Sequence, residues 1–355
     1  MNKTRNINEE RNYYSYDTEI LTIKGWKKIK EIKENETINT LNMDKETIET
    51  SVVVKTKKDL FNEDFIQLKN RRIDCFVNDT HKLRAQQNTS YQLTNAKNIK
   101  AYYTSTIKGF NWTVGDNTKY FTLPPVEQKE QYTRKNIYVC PKKIKMECWL
   151  EFFGMWLADG CCRTGVNTQK NNRYVVSIKQ KEDDYIEQLY ENIGFPCKVY
   201  RNKSGNHNYN VYSKQLWTYL YQFGKSKNKY IPNYLLSLNK KYLSFLYKGY
   251  KNGDSHKHNE QFYLSTTSKK LSENIQELLL KVEGRLVQFT RRNTKYKNKD
   301  YEFYIASFST NDYQNNLKYN KSKQINYKGY AYMLKTNNKN ILITRRNGIV
   351  SIVGI

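Results

Sequence analysis

The chain has 355 residues, of which 38% are apolar and 27% charged, so it is long enough for about two domains and too apolar for a disordered chain. Its net charge of +27 favours a polyanionic partner, of which nucleic acid is the commonest, although a coding bias towards Lys, Asn and Tyr is an alternative explanation. The sequence has no apolar run of about 18 residues, and no apolar segment follows residues 1–6. It therefore predicts an intracellular protein with no membrane span.

The first part of the chain, from residue 13 to about 100, predicts short β-strands. Residues 20–23, 38–41 and 49–55 are rich in Ile, Val and Thr, which favour strands. The last part returns to the same character, because residues 341–344 and 349–353 flank Asn347-Gly348, a strong hairpin signal.

The middle part, residues 145 to about 320, predicts helices and strands in an order that occurs twice. Each half begins with apolar residues at spacings i, i+3, i+4, i+7 and i+8, the pattern of one helix face. These residues are Trp149, Phe152, Phe153, Trp156 and Leu157 in the first half, and Tyr242, Phe245, Leu246, Gly249 and Tyr250 in the second. The first helix precedes a strand at 174–178, a helix at 183–192, a hairpin at 199–212 and a helix at 215–223; the second precedes a strand at 262–265, a helix at 270–282 and a hairpin at 286–305.

Each of the two helices ends with an aspartate five residues after a glycine: Gly154 precedes Asp159, and Gly249 precedes Asp254. Glycine in an apolar face permits close helix packing, and side-by-side packing would bring both aspartates to one end. Two carboxylates at helix C-termini repel each other unless a cation lies between them. We therefore predict a Mg²⁺ site suited to phosphodiester hydrolysis. The alternative is that Asp-Gly only marks a turn.

These helix ends resemble the repeated motif of the LAGLIDADG (DOD-type) homing endonucleases, over residues 152–160 and 249–255. Ser255 replaces the final glycine of the second copy. Residues 224–232 are similar to the lysine block of that family, with Lys229 at the position of its catalytic lysine, and residues 263–268 resemble the block behind the second motif. The resemblance covers about half the chain and implies metal-binding catalytic aspartates, Asp159 and Asp254, assisted by Lys229.

Two basic hairpins are predicted to enter the major groove of DNA, because a two-stranded ribbon fits there. A solvated hairpin edge protected by lysine is the alternative. The predicted DNA-binding residues are Arg201, Lys203, Arg291, Arg292, Lys295 and Lys297.

The two ends of the chain resemble the Hint domain of inteins, over residues 17–29, 77–83 and 345–354. Splicing in that family requires a Cys or Ser nucleophile and a C-terminal asparagine, and this sequence has other residues at both matching positions. The corresponding splicing positions are degenerate: Tyr13 stands for the nucleophile, Asn78 for the threonine of the Thr-x-x-His block, Gly354 for the penultimate histidine and Ile355 for the asparagine. His81 occupies the position of the histidine in the Thr-x-x-His block and is expected to be a structural remnant.

Together these patterns predict an α+β fold, with a β-rich Hint-like domain (13–140 and 325–355) into which a pseudo-two-fold LAGLIDADG α/β domain (145–320) is inserted. Its two repeats would span 145–235 and 236–320. The predicted activity is Mg²⁺-dependent double-strand cleavage by a monomer at a long, pseudo-symmetric DNA site. The alternatives are a non-cleaving DNA-binding protein or RNA-splicing maturase, and an active self-splicing intein.

Overall fold

The computed structural model describes residues 11–42, 44–70, 73–87, 90–99, 104–107, 110–130, 135–166, 172–181, 184–203, 205–296, 299–309, 315–318, 322–338 and 340–354. These residues form two compact units. The first, called unit 1, comprises residues 1–114, 279–288 and 312–355, and the second, called unit 2, comprises residues 115–278 and 289–311. Within the described residues, every helix is too short or too polar to cross a lipid bilayer.

The described strands of the N-terminal part are β1 (Tyr14–Ser15), β2 (Glu19–Thr22), β3 (Gly25–Lys28), β4 (Thr37–Asn42), β5 (Thr47–Lys69), β6 (Asp74–Asn78), β7 (Lys82–Gln87), β8 (Ser90–Asn95), β9 (Thr104–Ile107) and β10 (Asn111–Trp112). The central strands are β11 (Tyr120–Leu123), β12 (Val126–Lys129), β13 (Asn136–Val139), β14 (Lys142–Lys145), β15 (Gly160–Val166), β16 (Asn172–Lys181), β17 (Lys198–Tyr200), β18 (Asn206–Tyr212), β19 (Ser255–His258), β20 (Gln261–Thr266), β21 (Thr290–Tyr296) and β22 (Lys299–Ser309). The C-terminal strands are β23 (Asn315–Lys318), β24 (Lys323–Thr336), β25 (Ile341–Arg346) and β26 (Ile349–Gly354). The helices are α1 (Met146–Asp159), α2 (Asp184–Asn192), α3 (Lys214–Tyr221), α4 (Asn233–Leu236), α5 (Lys240–Asp254) and α6 (Lys269–Glu283).

Unit 1 is built from strands of both chain ends. Its 14 described strands form one sheet, in which β25 pairs with β2 and β24 pairs with β5 and β1. The turn between β25 and β26 contains Asn347 and Gly348 with φ values of 49° and 78°, as a two-residue hairpin turn of type I′ requires. Thus the predicted C-terminal hairpin is present, and it joins the strands of the N-terminus.

Unit 2 contains two four-stranded antiparallel sheets, with strand orders β15-β16-β18-β17 and β19-β20-β22-β21. Each sheet follows one of the two predicted motif helices, α1 and α5, and the predicted α+β class is confirmed. One detail of the sequence prediction is wrong: two strands rather than one follow each motif helix. The strands that were missed, β15 and β19, contain few β-branched residues and many polar ones, so propensity did not mark them.

Candidate functional site

Helices α1 and α5 pack with their main chains in contact at two glycines. A Cβ atom added to Gly154 would lie 2.7 Å from the main-chain nitrogen of Tyr250. One added to Gly249 would lie 3.0 Å from the nitrogen of Met155 and still closer to the carbonyl oxygen of Glu151. Only a residue without a side chain therefore permits this approach of the helices.

The close packing brings the two predicted metal-binding aspartates to the same end of the helix pair. Asp159 is the last residue of α1 and Asp254 is the last residue of α5. A Cβ atom added to Gly253 would lie 3.2 Å from Oδ2 of Asp159, so this carboxylate lies beside the residue that precedes Asp254. Burial and the Asp159 charge raise the pKa of Asp254 to about 7, although Lys229 and a hydrogen bond from Tyr250 act in the opposite direction.

Asp159 has a partner that the sequence did not indicate. The side-chain amide of Gln180 donates a hydrogen bond of 2.5 Å to Oδ2 of Asp159. Burial raises the pKa of Asp159 above its ordinary value, and this hydrogen bond and the charge of Lys229 oppose that shift. Gln180 lies two residues beyond Ile178, where the predicted strand ended. If the predicted strand had been extended, its alternation would have placed Gln180 on the same sheet face as Ile178.

Lys229 is buried, with 3% of its surface exposed, at the C-terminal end of α1. Its Nζ atom donates to the carbonyl oxygens of Trp156 at 2.7 Å, Leu157 at 2.9 Å and Gly160 at 2.7 Å. An ammonium group has three protons, so the carbonyls of the helix end accept all of them. Burial lowers the pKa of Lys229 to about 8, against the attraction of Asp254 and, more weakly, of Asp159.

The segment around Lys229 is held by side chains of the second repeat. Ser268 donates from Oγ to the carbonyl oxygen of Lys229 at 2.7 Å, and the main-chain nitrogen of Ile231 donates to Oδ1 of Asn274 at 3.0 Å. The ammonium position is therefore determined by contacts from α1 and from the segment around α6, all within unit 2.

Two open clefts border Asp254. One, of about 260 Å³, is lined by Lys229, Asp254 and Thr266 among others, and the second, of about 350 Å³, is lined by Asp254, His256, His258, Tyr263, Ser265 and Ile305. Asp254 thus borders both clefts, and the buried Lys229 lies in the wall of the first.

Polar side chains cover one face of the first sheet. Register places Arg163 opposite Val175 and Val175 opposite Tyr212, so these residues share a face. Arg163 donates to Oδ1 of Asn210 at 3.3 Å, and the guanidinium group of Arg173 lies 4.5 Å from the ring centre of Tyr212. Arg163 was missed because strand β15 was not predicted, and Arg173 was missed because the predicted strand began at residue 174.

The predicted DNA-binding residues of the second hairpin lie on two different faces. Register pairs Arg292 with Phe303 and Arg291 with Tyr304. Arg292 therefore shares a face with Ile305, and Arg291 and Lys295 share the opposite face. Arg291 also forms an ion pair with Glu302.

Two of the remaining residues of this predicted set belong to the tip of the first hairpin. Arg201 and Lys203 lie exposed between β17 and β18, while Lys297 lies outside the described residues.

The residues that were predicted to be degenerate splicing positions also lie close together, in unit 1. The main-chain nitrogen of Tyr13 donates to Oδ1 of Asn78 at 2.8 Å, and the Tyr13 hydroxyl donates to the carboxylate of Asp59. A Cβ atom added to Gly354 would lie 2.5 Å from Nε2 of His81. Burial lowers the pKa of His81 to about 3, despite an opposing effect of the Tyr13 main chain. Ile355 lies outside the described residues.

Comparison with known proteins finds similar segments in proteins of different function. No protein-family model matches the sequence. The chain is 26% identical over 278 residues to the ATP-dependent Clp protease proteolytic subunit of Chlamydomonas moewusii, covering 74% of this chain and 27% of that protein. It is 28% identical over 233 residues to the DNA-directed RNA polymerase subunit beta C-terminal section of Stigeoclonium helveticum, covering 60% of this chain and 20% of that protein. The chain thus spans about a quarter or less of the length of these relatives.

Solved structures resemble the chain at low identity. The homing endonuclease I-DmoI, in complex with DNA and Ca, matches 47% of this chain and 85% of its own, with 17% identity and a TM-score of 0.36. A bacterial intein-like domain from Clostridium thermocellum matches 26% of this chain and 64% of its own, with 15% identity and a TM-score of 0.23. These resemblances are the two that the sequence motifs predicted.

Proposed function

We propose that the chain is a site-specific DNA endonuclease that makes double-strand breaks by Mg²⁺-dependent hydrolysis and has lost protein splicing. One observation carries this proposal: two carboxylates that are 95 residues apart in sequence adjoin each other at the end of the glycine-packed helices α1 and α5.

The donor chemistry of this helix end fits a hard divalent cation. Oxygen ligands are those that Mg²⁺ prefers. Burial and, second to it, the charge of Asp159 raise the pKa of Asp254, and a cation beside the two carboxylates would offset both effects. Among the described residues no group of three or more His, Cys, Asp or Glu side chains could hold a metal. Mg²⁺ commonly uses one or two protein carboxylates together with waters and substrate phosphates, so Asp159 and Asp254 would be sufficient protein ligands for it.

Asp159 and Asp254 would hold the ion, which would activate water and stabilise the leaving oxygen. Gln180 keeps the Asp159 carboxylate oriented through its hydrogen bond. Lys229 supplies positive charge next to Asp254, where charge develops on a phosphate. Since its protons are donated to carbonyls of the α1 end, Lys229 also fixes the position of that end.

Duplex DNA fits the polar sheet faces. Arg163, Arg173 and Asn210 on the first sheet, and Arg292 with His256 on the second, offer donors to phosphates and base edges. Two similar sheets suit the two halves of a pseudo-symmetric site. The net charge of +27 supports a polyanionic substrate.

Two relatives with different functions match 74% and 60% of this chain, so the matched parts overlap, and the match is a minor part of each relative. This is expected if the segment is a mobile insert in both proteins, as a homing endonuclease gene would be. The residues at the splicing positions support loss of splicing, because a phenol at Tyr13 cannot make the acyl shift and Ile355 cannot cyclise.

The proposal is tested by selecting cleaved sites from a library of randomised duplexes in Mg²⁺ and then measuring plasmid cleavage at the selected site. We expect Asp159→Asn and Asp254→Asn each to lower cleavage by at least about 10²-fold while DNA binding persists. Asp79→Asn, an aspartate of unit 1 paired with Lys97, is the matched control and should cut like the wild type.

Equal cutting by all four proteins would remove the aspartates from the mechanism. Metal-independent, sequence-specific binding without nicking by the wild type would overturn the nuclease and favour the non-cleaving DNA-binding protein or maturase.

Lys229 is tested separately by Lys229→Met, with Lys227→Met, an exposed lysine of the same segment, as control. We expect a loss of cleavage of about 10²-fold for Lys229→Met and little change for the control. A folded Lys229→Met variant that cuts at the wild-type rate would contradict the role of this charge.

A further inference from the structure

The positive charge of the chain is shared almost equally between the two units. Unit 1 carries 30 Lys and Arg against 17 Asp and Glu, a net charge of +13, and unit 2 carries 31 against 17, a net charge of +14. The proposed nuclease groups all lie in unit 2. The charge of unit 1 is therefore not explained by the proposed cleavage site.

Unit 1 contains a long antiparallel ribbon made by β5 and β24. Residues 55–64 pair in continuous register with residues 326–335. Among the described strands, no third strand pairs with residues 60–64 or 326–330. Over residues 55–69 and 323–335 the ribbon has seven lysines and three carboxylates, a net charge of +4.

The two faces of the ribbon differ. One face carries Phe61, Tyr327 and Ala331, which are buried in a hydrophobic cluster with Tyr13 and other residues. The other face, called here the outer face, consists of the residues that alternate with them. Over residues 58–64 and 326–330 it comprises Lys58, Leu60, Asn62, Asp64, Asn326, Lys328 and Tyr330.

An apolar pair lies at the centre of the outer face. Leu60 and Tyr330 are opposite each other in the register and are 71% and 49% exposed. Nζ of Lys58 lies 4.0 Å from the ring centre of Tyr330, and Lys328 is paired with Asn62 on the other side. The single carboxylate of this face, Asp64, accepts a hydrogen bond from Gln324 at 2.6 Å.

We propose that the outer face of this ribbon is a second DNA-binding site, which enters the major groove of a duplex. The major groove admits a two-stranded ribbon, and amides such as those of Asn62 and Asn326 can pair with adenine edges. Leu60 and Tyr330 are placed to contact thymine methyl groups, and Lys58 and Lys328 to contact the phosphates on either side.

The charge of the ribbon favours DNA over a protein partner. An exposed leucine and tyrosine alone would also suit a protein, but protein interface cores are depleted in lysine. Here two lysines flank the apolar pair, and the unit that carries it has a net charge of +13. This inference extends the proposed function by assigning DNA contacts to unit 1.

The test measures binding of the full-length chain to a duplex of about 30 base pairs that lacks the selected cleavage site, over a range of salt concentrations. Each phosphate contact contributes about 0.9 to the slope of log K against log salt. Lys58→Ala combined with Lys328→Ala should therefore lower the slope by about 1.8. Lys30→Ala combined with Lys33→Ala, which removes the same charge from exposed positions outside the ribbon, should change it little.

A second pair of substitutions separates apolar from ionic contacts. Leu60→Ala combined with Tyr330→Ala should weaken binding by about tenfold with an unchanged slope, because apolar contacts release no counterions. Thermal melting would verify that all variants are folded.

Two results would overturn the proposal: equal salt slopes for the ribbon and control double-lysine variants, or unchanged affinity of the Leu60/Tyr330 variant. A protein partner for this face would then be favoured. The result is independent of cleavage: if the wild type cuts no DNA but the ribbon slope falls, the nuclease fails and the ribbon site stands.

Discussion

Units 1 and 2 each bring together residues from distant parts of the chain, but the groups they bring together differ in charge. In unit 2, Asp159, Asp254 and Lys229 adjoin each other at a helix end next to open clefts. Two like charges and one opposite charge in a partly buried site shift each other's pKa, which is typical of functional sites.

In unit 1 the gathered groups are neutral and closed off from solvent. Tyr13 and His81 are 2% and 0% exposed, and the low pKa of His81 keeps its imidazole uncharged. The hydroxyl of Tyr13 is engaged with Asp59, and Gly354 brings no side chain to His81. Bringing motif positions together in space is therefore not sufficient to form a reactive site. The residue types at those positions decide whether the site carries charge and is open to solvent.

The largest predicted difference between the two units is the pH dependence of stability that Asp254 causes in unit 2. Its pKa in the folded chain is about 7, above the ordinary value of 3.8, so the folded state binds more protons between these values and stability falls as pH rises through this window. Asp254→Asn should remove this dependence and raise the free energy of unfolding at pH 7.5 by up to about 4 kcal/mol in the absence of Mg²⁺.

Urea unfolding at pH 5 and pH 7.5 measures this effect, with Asp79→Asn as control. If the free energy of unfolding depends on pH in the same way for the wild type and Asp254→Asn, the surroundings of Asp254 do not destabilise its charged form.

The opposite pH dependence is expected from His81 in unit 1. Its pKa in the folded chain is about 3, below the ordinary value of 6.5, so the unfolded state binds more protons between these values and stability falls as pH falls. The wild type should lose about 3 kcal/mol in its free energy of unfolding between pH 7 and pH 4 because of His81, and His81→Leu should abolish this loss. His258→Leu, at an exposed position, is the control, and a wild-type-like acid response of His81→Leu would contradict the prediction.

The helix contact that distinguishes unit 2 is tested at Gly249. Gly249→Ala places a Cβ atom against the Glu151 carbonyl, and overpacking of this kind costs about 1–3 kcal/mol. Separation of the helices should also lower cleavage, since Asp159 and Asp254 would move apart. Gly165→Ala, where no atom lies within 4 Å of the new Cβ, should have little effect on melting temperature or cleavage. Equal melting of both variants would show that α1 and α5 tolerate separation.

The smallest effect is expected for splicing in unit 1. With Tyr13 and Ile355 at the splicing positions, mass spectrometry after expression should find the intact mass of the translated chain. Time-dependent loss of mass from unit 1 would instead favour the intein alternative and would end the contrast between the two units.

Several elements followed from local patterns alone. The apolar spacings at Trp149 and Tyr242 predicted α1 and α5, and Asn347-Gly348 predicted the last hairpin, because both signals depend on residues that are close in sequence. The polar strand β15 was missed, and with it the face that carries Arg163, since its residues form a strand only by pairing with β16.

The sequence by itself determined which chemical groups are available: paired Gly–Asp helix ends, a candidate lysine, and Tyr13 and Ile355 at the positions that match the splicing residues of inteins. Only the tertiary structure decided which groups meet. Gln180 reaches Asp159, Lys229 donates its protons to the α1 carbonyls, and Arg291 and Arg292 point to opposite faces. The physical reason is that composition and periodicity depend on neighbours along the chain, whereas hydrogen bonds, burial and pKa shifts depend on neighbours in space.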